Sequence, residues 1–145
     1  MPTKILVIDD DIAITELMSM LLKTHGFEVL TSNISMEGVE LARRFSPSVV
    51  LLDLMMPDMD GWQVCGAIRS FSNIPILILS AINDPSVVAS VLDAGADDFL
   101  VKPVPSSVLV AHIRKMVRQT DPHENGSMKI TGSLRSNTQP LPFRS

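Results

Sequence analysis

Five short apolar runs constrain this chain more than any other feature of its sequence. They fall at residues 5–8, 28–30, 49–52, 76–79 and 99–101, and four of the five contain no charged residue. A strand with one wet face alternates apolar and polar residues, whereas these runs do not, so they suit strands covered on both faces of a parallel sheet. Helical spacing fills the gaps. Ile14, Leu17, Met18 and Leu21 follow the i, i+3, i+4, i+7 pattern, and Leu109, Ile113, Met116 and Val117 follow it more loosely. Asp84-Pro85 reads as a helix cap with proline in the first turn, and Gly95 as a stop. Strand and helix alternating five times predict an α/β doubly wound parallel sheet with right-handed crossovers.

At 145 residues the chain has room for one ordinary domain. Residues 1–120 carry the alternation. Residues 121–145 hold three prolines and two glycines among Ser, Thr and Asn, without a period, and read as a flexible tail or the start of a linker to an absent effector domain. Met128-Lys129-Ile130-Thr131 gives only a slight hint of strand there. Lone Cys65 cannot form an internal disulfide. No apolar run approaches the roughly 20 residues that span a bilayer, and the first residues do not form a signal peptide, so a cytoplasmic location without membrane contact is expected. The net charge of −4 leaves no broad basic face, which argues against nucleic-acid binding by residues 1–120.

In a parallel α/β sheet, ligands bind beyond the carboxyl ends of the strands. The first run ends in Asp9-Asp10, the third in Asp53, the fourth in Ser80 and the fifth in Lys102. Three carboxylates, a hydroxyl and an ammonium therefore converge on one edge. Such a set suits Mg²⁺, which takes one or two carboxylates and fills its remaining positions with water or phosphate oxygens. The cation offsets carboxylate repulsion, while the lysine and hydroxyl hold phosphoryl oxygens. One carboxylate in line becomes a nucleophile that forms an aspartyl-phosphate.

Four separated motifs carry a family resemblance. They are Ile5-Leu6-Val7-Ile8-Asp9-Asp10-Asp11, Leu51-Leu52-Asp53-Leu54-Met55-Met56-Pro57-Asp58-Met59-Asp60-Gly61, Ile78-Leu79-Ser80-Ala81, and Gly95-Ala96-Asp97-Asp98-Phe99-Leu100-Val101-Lys102-Pro103. Over residues 3–119 the chain resembles the receiver domain of two-component response regulators, such as the single-domain chemotaxis regulator. The resemblance implies a flavodoxin-like (βα)5 fold with strand order 2-1-3-4-5. It also implies phosphoryl transfer from a sensor histidine kinase or phosphotransfer protein onto Asp53. Mg²⁺ would be held by Asp10, Asp53 and the backbone carbonyl of Met55, with Asp9 acting through water. Lys102 would contact the phosphoryl group, Ser80 would hydrogen-bond it, and Phe99 would rotate into the space Ser80 vacates. The face of the fourth helix, fifth strand and fifth helix would then change its affinity for a downstream partner, a second copy included. A cis Lys102-Pro103 bond is expected on the same ground. Phe99 departs from the frequent tyrosine and Ser80 from the common threonine.

Met55 and Ile82, two residues beyond Asp53 and Ser80, are both apolar. Flanking the phosphoryl group, neither could orient an attacking water, which predicts slow self-dephosphorylation. Two rival readings follow from the same residues. One is a Mg²⁺-dependent aspartyl-phosphate hydrolase of the haloacid dehalogenase type, disfavoured because Asp97-Asp98 precede Lys102 and no cap region is present. The other is the receiver part of a DNA-binding transcription regulator. Asp11 reads better as a helix cap than as a ligand. Cys65, His25, His112 and His123 show no catalytic or metal spacing. Asn33-Ile34-Ser35 and Asn125-Gly126-Ser127 match the glycosylation acceptor pattern only by accident.

Overall fold

In a computed structural model, which describes residues 2–120, the five apolar runs are five parallel strands in one sheet, ordered β2-β1-β3-β4-β5. The strands are β1 (Lys4–Ile8), β2 (Glu28–Ser32), β3 (Val49–Asp53), β4 (Ile76–Ser80) and β5 (Asp98–Val101). The helices between and after them are α1 (Ile12–Thr24), α2 (Ser35–Phe45), α3 (Gly61–Arg69), α4 (Pro85–Asp93) and α5 (Ser106–Thr120). Strand order reverses on either side of β1, where the chain runs from β2 at one edge back past β1 to β3. The carboxyl ends of β1 and β3 therefore flank the switch point.

The unbroken runs are explained by burial. Residues 5–8, 49–52 and 76–80 are buried throughout, while edge strands β2 and β5 are largely half-exposed. Ile5 pairs with Val49 and Val50 with Ile76, so the three central strands stack their β-branched and leucine side chains into one core. Compactness divides the described chain inside α5, after Ala111. The sheet and the site described below lie wholly in the first unit. Leu109, Ile113 and Met116 of α5 are buried and Val117 half-buried, the stripe that spacing predicts. The predicted tail at 121–145 and the strand hint at 128–131 lie outside the described residues.

Caps set the helix starts. The Asp11 carboxylate accepts the Ile14 N–H at 3.3 Å, and Asp84 accepts the Ser86 N–H at 2.8 Å with Pro85 in the first turn. Asp60 and Gln63 form a reciprocal capping box on α3. Gly95, at φ +123°, ends the α4 segment where a side chain would be strained and would meet Arg69.

The buried face of α1 differs from the expected one. Leu17 is 62% exposed, Ile14, Met18 and Leu21 are half-buried, and the fully buried positions are Thr15 and Leu22. The helix is apolar on nearly every side, so spacing alone does not fix its rotation. Thr15 can be buried because its hydroxyl is satisfied: it donates to the Ile12 carbonyl at 3.0 Å.

Candidate functional site

Asp9, Asp10 and Asp53 come together at the carboxyl edge of the sheet, each offering an oxygen within 4.8 Å of the other two. β1 delivers Asp9 and Asp10 at its end and β3 delivers Asp53. The register that sets Ile8 opposite Leu52 brings the two strand ends level. Asp9 is buried, Asp53 half-buried and Asp10 exposed. The Asp9 carboxylate is oriented from both sides. Oδ1 accepts the Asp11 N–H at 2.9 Å, and Oδ2 lies 3.4 Å from Lys102 Nζ.

Lys102 follows β5, and its backbone N–H donates to the Ser80 carbonyl at 2.8 Å, which extends the β4–β5 pairing by one step. Its ammonium also lies 3.8 Å from Asp53 Oδ1. The Lys102–Pro103 bond is cis, as the resemblance implies. One ammonium against three carboxylates leaves a surplus of negative charge. Burial raises the Asp53 carboxyl above its ordinary value of 3.8. Asp9 and Asp10 push it further up, and the Lys102 ammonium and the Met55 backbone N–H oppose them. An apolar cleft of about 520 Å³, walled by Ile14, Met18, Leu51 and Leu79 among others, reaches Asp9, Asp53 and Lys102. A divalent cation would relieve the strain, and the oxygen-rich donor set suits Mg²⁺ better than a softer metal.

Ser80 ends β4 and is 2% exposed; its Oγ accepts the Ile82 N–H at 3.2 Å. Ile82 is half-buried and Met55 is 57% exposed on the loop after β3. Phe99 on β5 is half-buried against the apolar core, two residues before Val101, the partner of Ser80. Asp11 caps α1 and contributes no oxygen to the acidic cluster, as expected. Cys65 is fully buried, and burial pushes its thiol up to about 11, which makes it inert.

Two residues at the site's margin were not anticipated. Asn33 donates to the Asp9 carbonyl at 2.8 Å and to Thr15 Oγ1 at 3.0 Å. Ser35, fully buried, donates its backbone N–H to Asp58 Oδ2 at 2.9 Å and its hydroxyl to the Met59 carbonyl at 2.6 Å. Both belong to the Asn-x-Ser triplet read as accidental. The available signal was their position directly after the second apolar run, the one strand end left out of the sequence argument.

Comparison with known proteins bears on the arrangement as a whole. The family model described as "Response regulator receiver domain" matches residues 5–114. The chain is 38% identical over 136 residues to "Probable transcriptional regulator ycf27" of Cyanophora paradoxa, covering 94% of this chain and 56% of that one. It is 41% identical over 125 residues to "Response regulator MprA" of Mycobacterium sp. strain KMS, covering 86% and 54%. The chain thus spans about half the length of these curated relatives. Among solved structures, a two-component response regulator from Clostridium difficile superposes with a TM-score of 0.79 at 27% identity, covering 82% of this chain and 98% of that one. Among the described residues, no helix is long and apolar enough to cross a membrane.

Proposed function

The chain belongs to the response regulator receiver domain family, and from that premise we propose that it is a phosphorylation-controlled switch with Asp53 as the phosphoacceptor. The single observation that carries this reading is the convergence of Asp9, Asp10 and Asp53 within 4.8 Å, with Lys102 Nζ 3.8 Å from Asp53. The donor is a phosphohistidine of a sensor histidine kinase or phosphotransfer protein. An Asp53 carboxylate oxygen attacks phosphorus, the P–O bond forms as the P–N bond breaks, and the imidazole leaves and takes a proton from solvent. When bound, Mg²⁺ neutralises charge on the carboxylates and on the transferring oxygens. Asp10, Asp53 and the Met55 carbonyl would hold it, and Asp9 would act through water.

Lys102 pairs with Asp9 and Asp53 beforehand, so it is already placed for the charge that arrives with the phosphoryl group. Ser80 would turn its hydroxyl from its own loop to a phosphoryl oxygen, and Phe99 would fill the vacated space. This shifts the population of the α4–β5–α5 face between two states with different affinity for a partner, a second copy of this chain included. The chemistry is stoichiometric acceptance rather than turnover. Because the relatives are named as transcriptional and response regulators and exceed this chain in length, the output of the whole protein is read as transcriptional control through an effector domain.

Incubation with Mg²⁺ and either acetyl phosphate or p-nitrophenyl phosphate tests the choice. The expected result is one hydroxylamine-labile phosphoryl group per chain from the first and no turnover of the second. Sustained release of p-nitrophenol would replace the switch with a hydrolase.

A further inference from the structure

β1 and β3 pair as far as Ile8 and Leu52, and the site lies past those last shared rungs. Asp9 and Asp10 sit on the loop after β1, whereas Asp53 ends β3, paired with Leu79 of β4, and Met55 lies on the loop that follows it. The β2–α2 connection supplies no side chain to the acidic cluster, yet it bonds to both loops. On the β1 side, the Ser32 carbonyl accepts the Asp9 N–H at 3.1 Å, and Asn33 grips the Asp9 carbonyl and Thr15. On the β3 side, Ser35 grips Asp58 and Met59, three and four residues beyond Met55.

Donor and acceptor chemistry makes these bonds directional. The Asp9 carbonyl can only accept. The Thr15 hydroxyl spends its single proton on the Ile12 carbonyl, so toward Asn33 it too can only accept. Both amide protons of Asn33 are therefore used, and no other orientation of the amide satisfies both partners. Ser35 has one hydroxyl proton, and the Met59 carbonyl at 2.6 Å takes it in preference to Met56 Sδ at 3.4 Å. Ser35 is fully buried and Met59 half-buried, so losing the Ser35 hydroxyl removes the bond that ties the Met59 carbonyl to α2. The far end of the β3 loop is closed separately, where the Gly61 N–H donates to the Leu54 carbonyl at 2.7 Å. The crown of the loop thus rests on Ser35.

We propose that Asn33 and Ser35 are positioning residues that set the spacing between the loop carrying Asp9 and Asp10 and the loop carrying Met55, and so govern divalent-cation affinity without touching the cation or the reacting atoms. This rests on the Mg²⁺ reading of the site given above. Groups that orient metal-binding side chains commonly cost tenfold or more in affinity when removed.

The test measures Mg²⁺ binding by calorimetry, with unfolding by urea in EDTA measured in parallel. The variants are Asn33→Ala, Ser35→Ala, Asp58→Ala and Asp58→Asn, with Ile34→Ala as a control because its exposed side chain takes no part in these bonds. Asp58 is exposed, so its variants fold even if Ser35→Ala does not. Both Asp58 variants lose the same charge, but only the asparagine keeps an oxygen for the Ser35 N–H. Expected are Mg²⁺ dissociation constants raised about tenfold in Asn33→Ala and Ser35→Ala, a weaker affinity in Asp58→Ala than in Asp58→Asn, and the wild-type value in Ile34→Ala. Variants that lose stability in EDTA yet bind Mg²⁺ as the wild type does would overturn the proposal and leave the site intact. A wild type that binds no Mg²⁺ would overturn the reading of the site and the clamp with it.

Discussion

Two glycines five residues apart on α3 should respond to alanine with opposite signs. At Gly61 a Cβ would lie 2.7 Å from Leu54 Cδ1, 2.9 Å from Leu54 Cα and 3.1 Å from the Leu54 carbonyl oxygen. The side-chain contact can yield, but the backbone contacts cannot, because the Gly61 N–H is drawn onto that same carbonyl at 2.7 Å. Relieving the overlap needs a shift of about half an ångström and lengthens the hydrogen bond. Overpacking costs about 1–3 kcal/mol, and alanine's lower unfolded-state entropy returns about 0.4–1 kcal/mol. At mid-range the net is a loss of about 1 kcal/mol. At Gly66, exposed within the helix, nothing lies within 4 Å of the added Cβ, so only the gain of about 0.4–1 kcal/mol remains. With a urea slope of about 1–3 kcal/mol/M, Gly61→Ala should lower the midpoint by about 0.5 M and Gly66→Ala should raise it by a few tenths. Circular dichroism in EDTA reads both without metal linkage. Gly61→Ala should also slow Asp53 labelling, since it pushes α3 from the loop that carries Met55, while Gly66→Ala should not. A Gly61→Ala protein as stable as the wild type, or destabilised no differently from Gly66→Ala, would refute the close approach of α3 to Leu54.

The other predictions concern the site. Because burial and then Asp9 raise the Asp53 carboxyl, the folded chain holds that proton more tightly than the unfolded chain does. Its contribution to stability is present below the unfolded value and is lost as pH rises through the folded value. Asp53→Asn should therefore be more stable than the wild type at neutral pH in EDTA, by a margin that shrinks on acidification toward 3.8; a pH-independent difference would contradict this. Mg²⁺ at 100 times its dissociation constant should stabilise the wild type by about 2.7 kcal/mol, and Asp53→Asn by less. Met55→Asn combined with Ile82→Glu should shorten the phosphoryl lifetime about tenfold or more by giving water a partner, measured as loss of label after the donor is removed. Unchanged decay would mean that these positions do not gate water.

The strands were legible because burial on both faces writes itself as runs without polar breaks, and residues 49–52 and 76–79 are the clearest instances. The strand-end rule then singled out Asp9, Asp10, Asp53, Ser80 and Lys102, since a parallel sheet sends every carboxyl end to one edge, and the structure brings Asp9, Asp10, Asp53 and Lys102 together there. The face of α1 was not legible. Ile12, Leu17 and Met20 are as apolar as the residues turned inward, and Thr15 is buried only because Ile12 and Asn33 satisfy its hydroxyl. Long-range hydrogen bonds were equally hidden. Ser35 reaches Asp58 across 23 residues, and Arg69 holds the Gly95 carbonyl and Asp97 at 2.9 and 2.7 Å. No local pattern records such partners, because they follow from the fold rather than specify it. The capping box of Asp60 and Gln63, by contrast, could have been read from spacing alone.

The central claim is that Asp53 accepts a phosphoryl group with the help of its neighbouring carboxylates, Mg²⁺ and Lys102. Intact mass after incubation with acetyl phosphate tests it most directly, for the wild type and Asp53→Asn, each with Mg²⁺ or EDTA. A single phosphoryl adduct on the wild type with Mg²⁺, and on nothing else, is the predicted result. An adduct that survives in Asp53→Asn would move the nucleophile to Asp9 or Asp10, and no adduct under any condition would remove phosphoacceptance from the account.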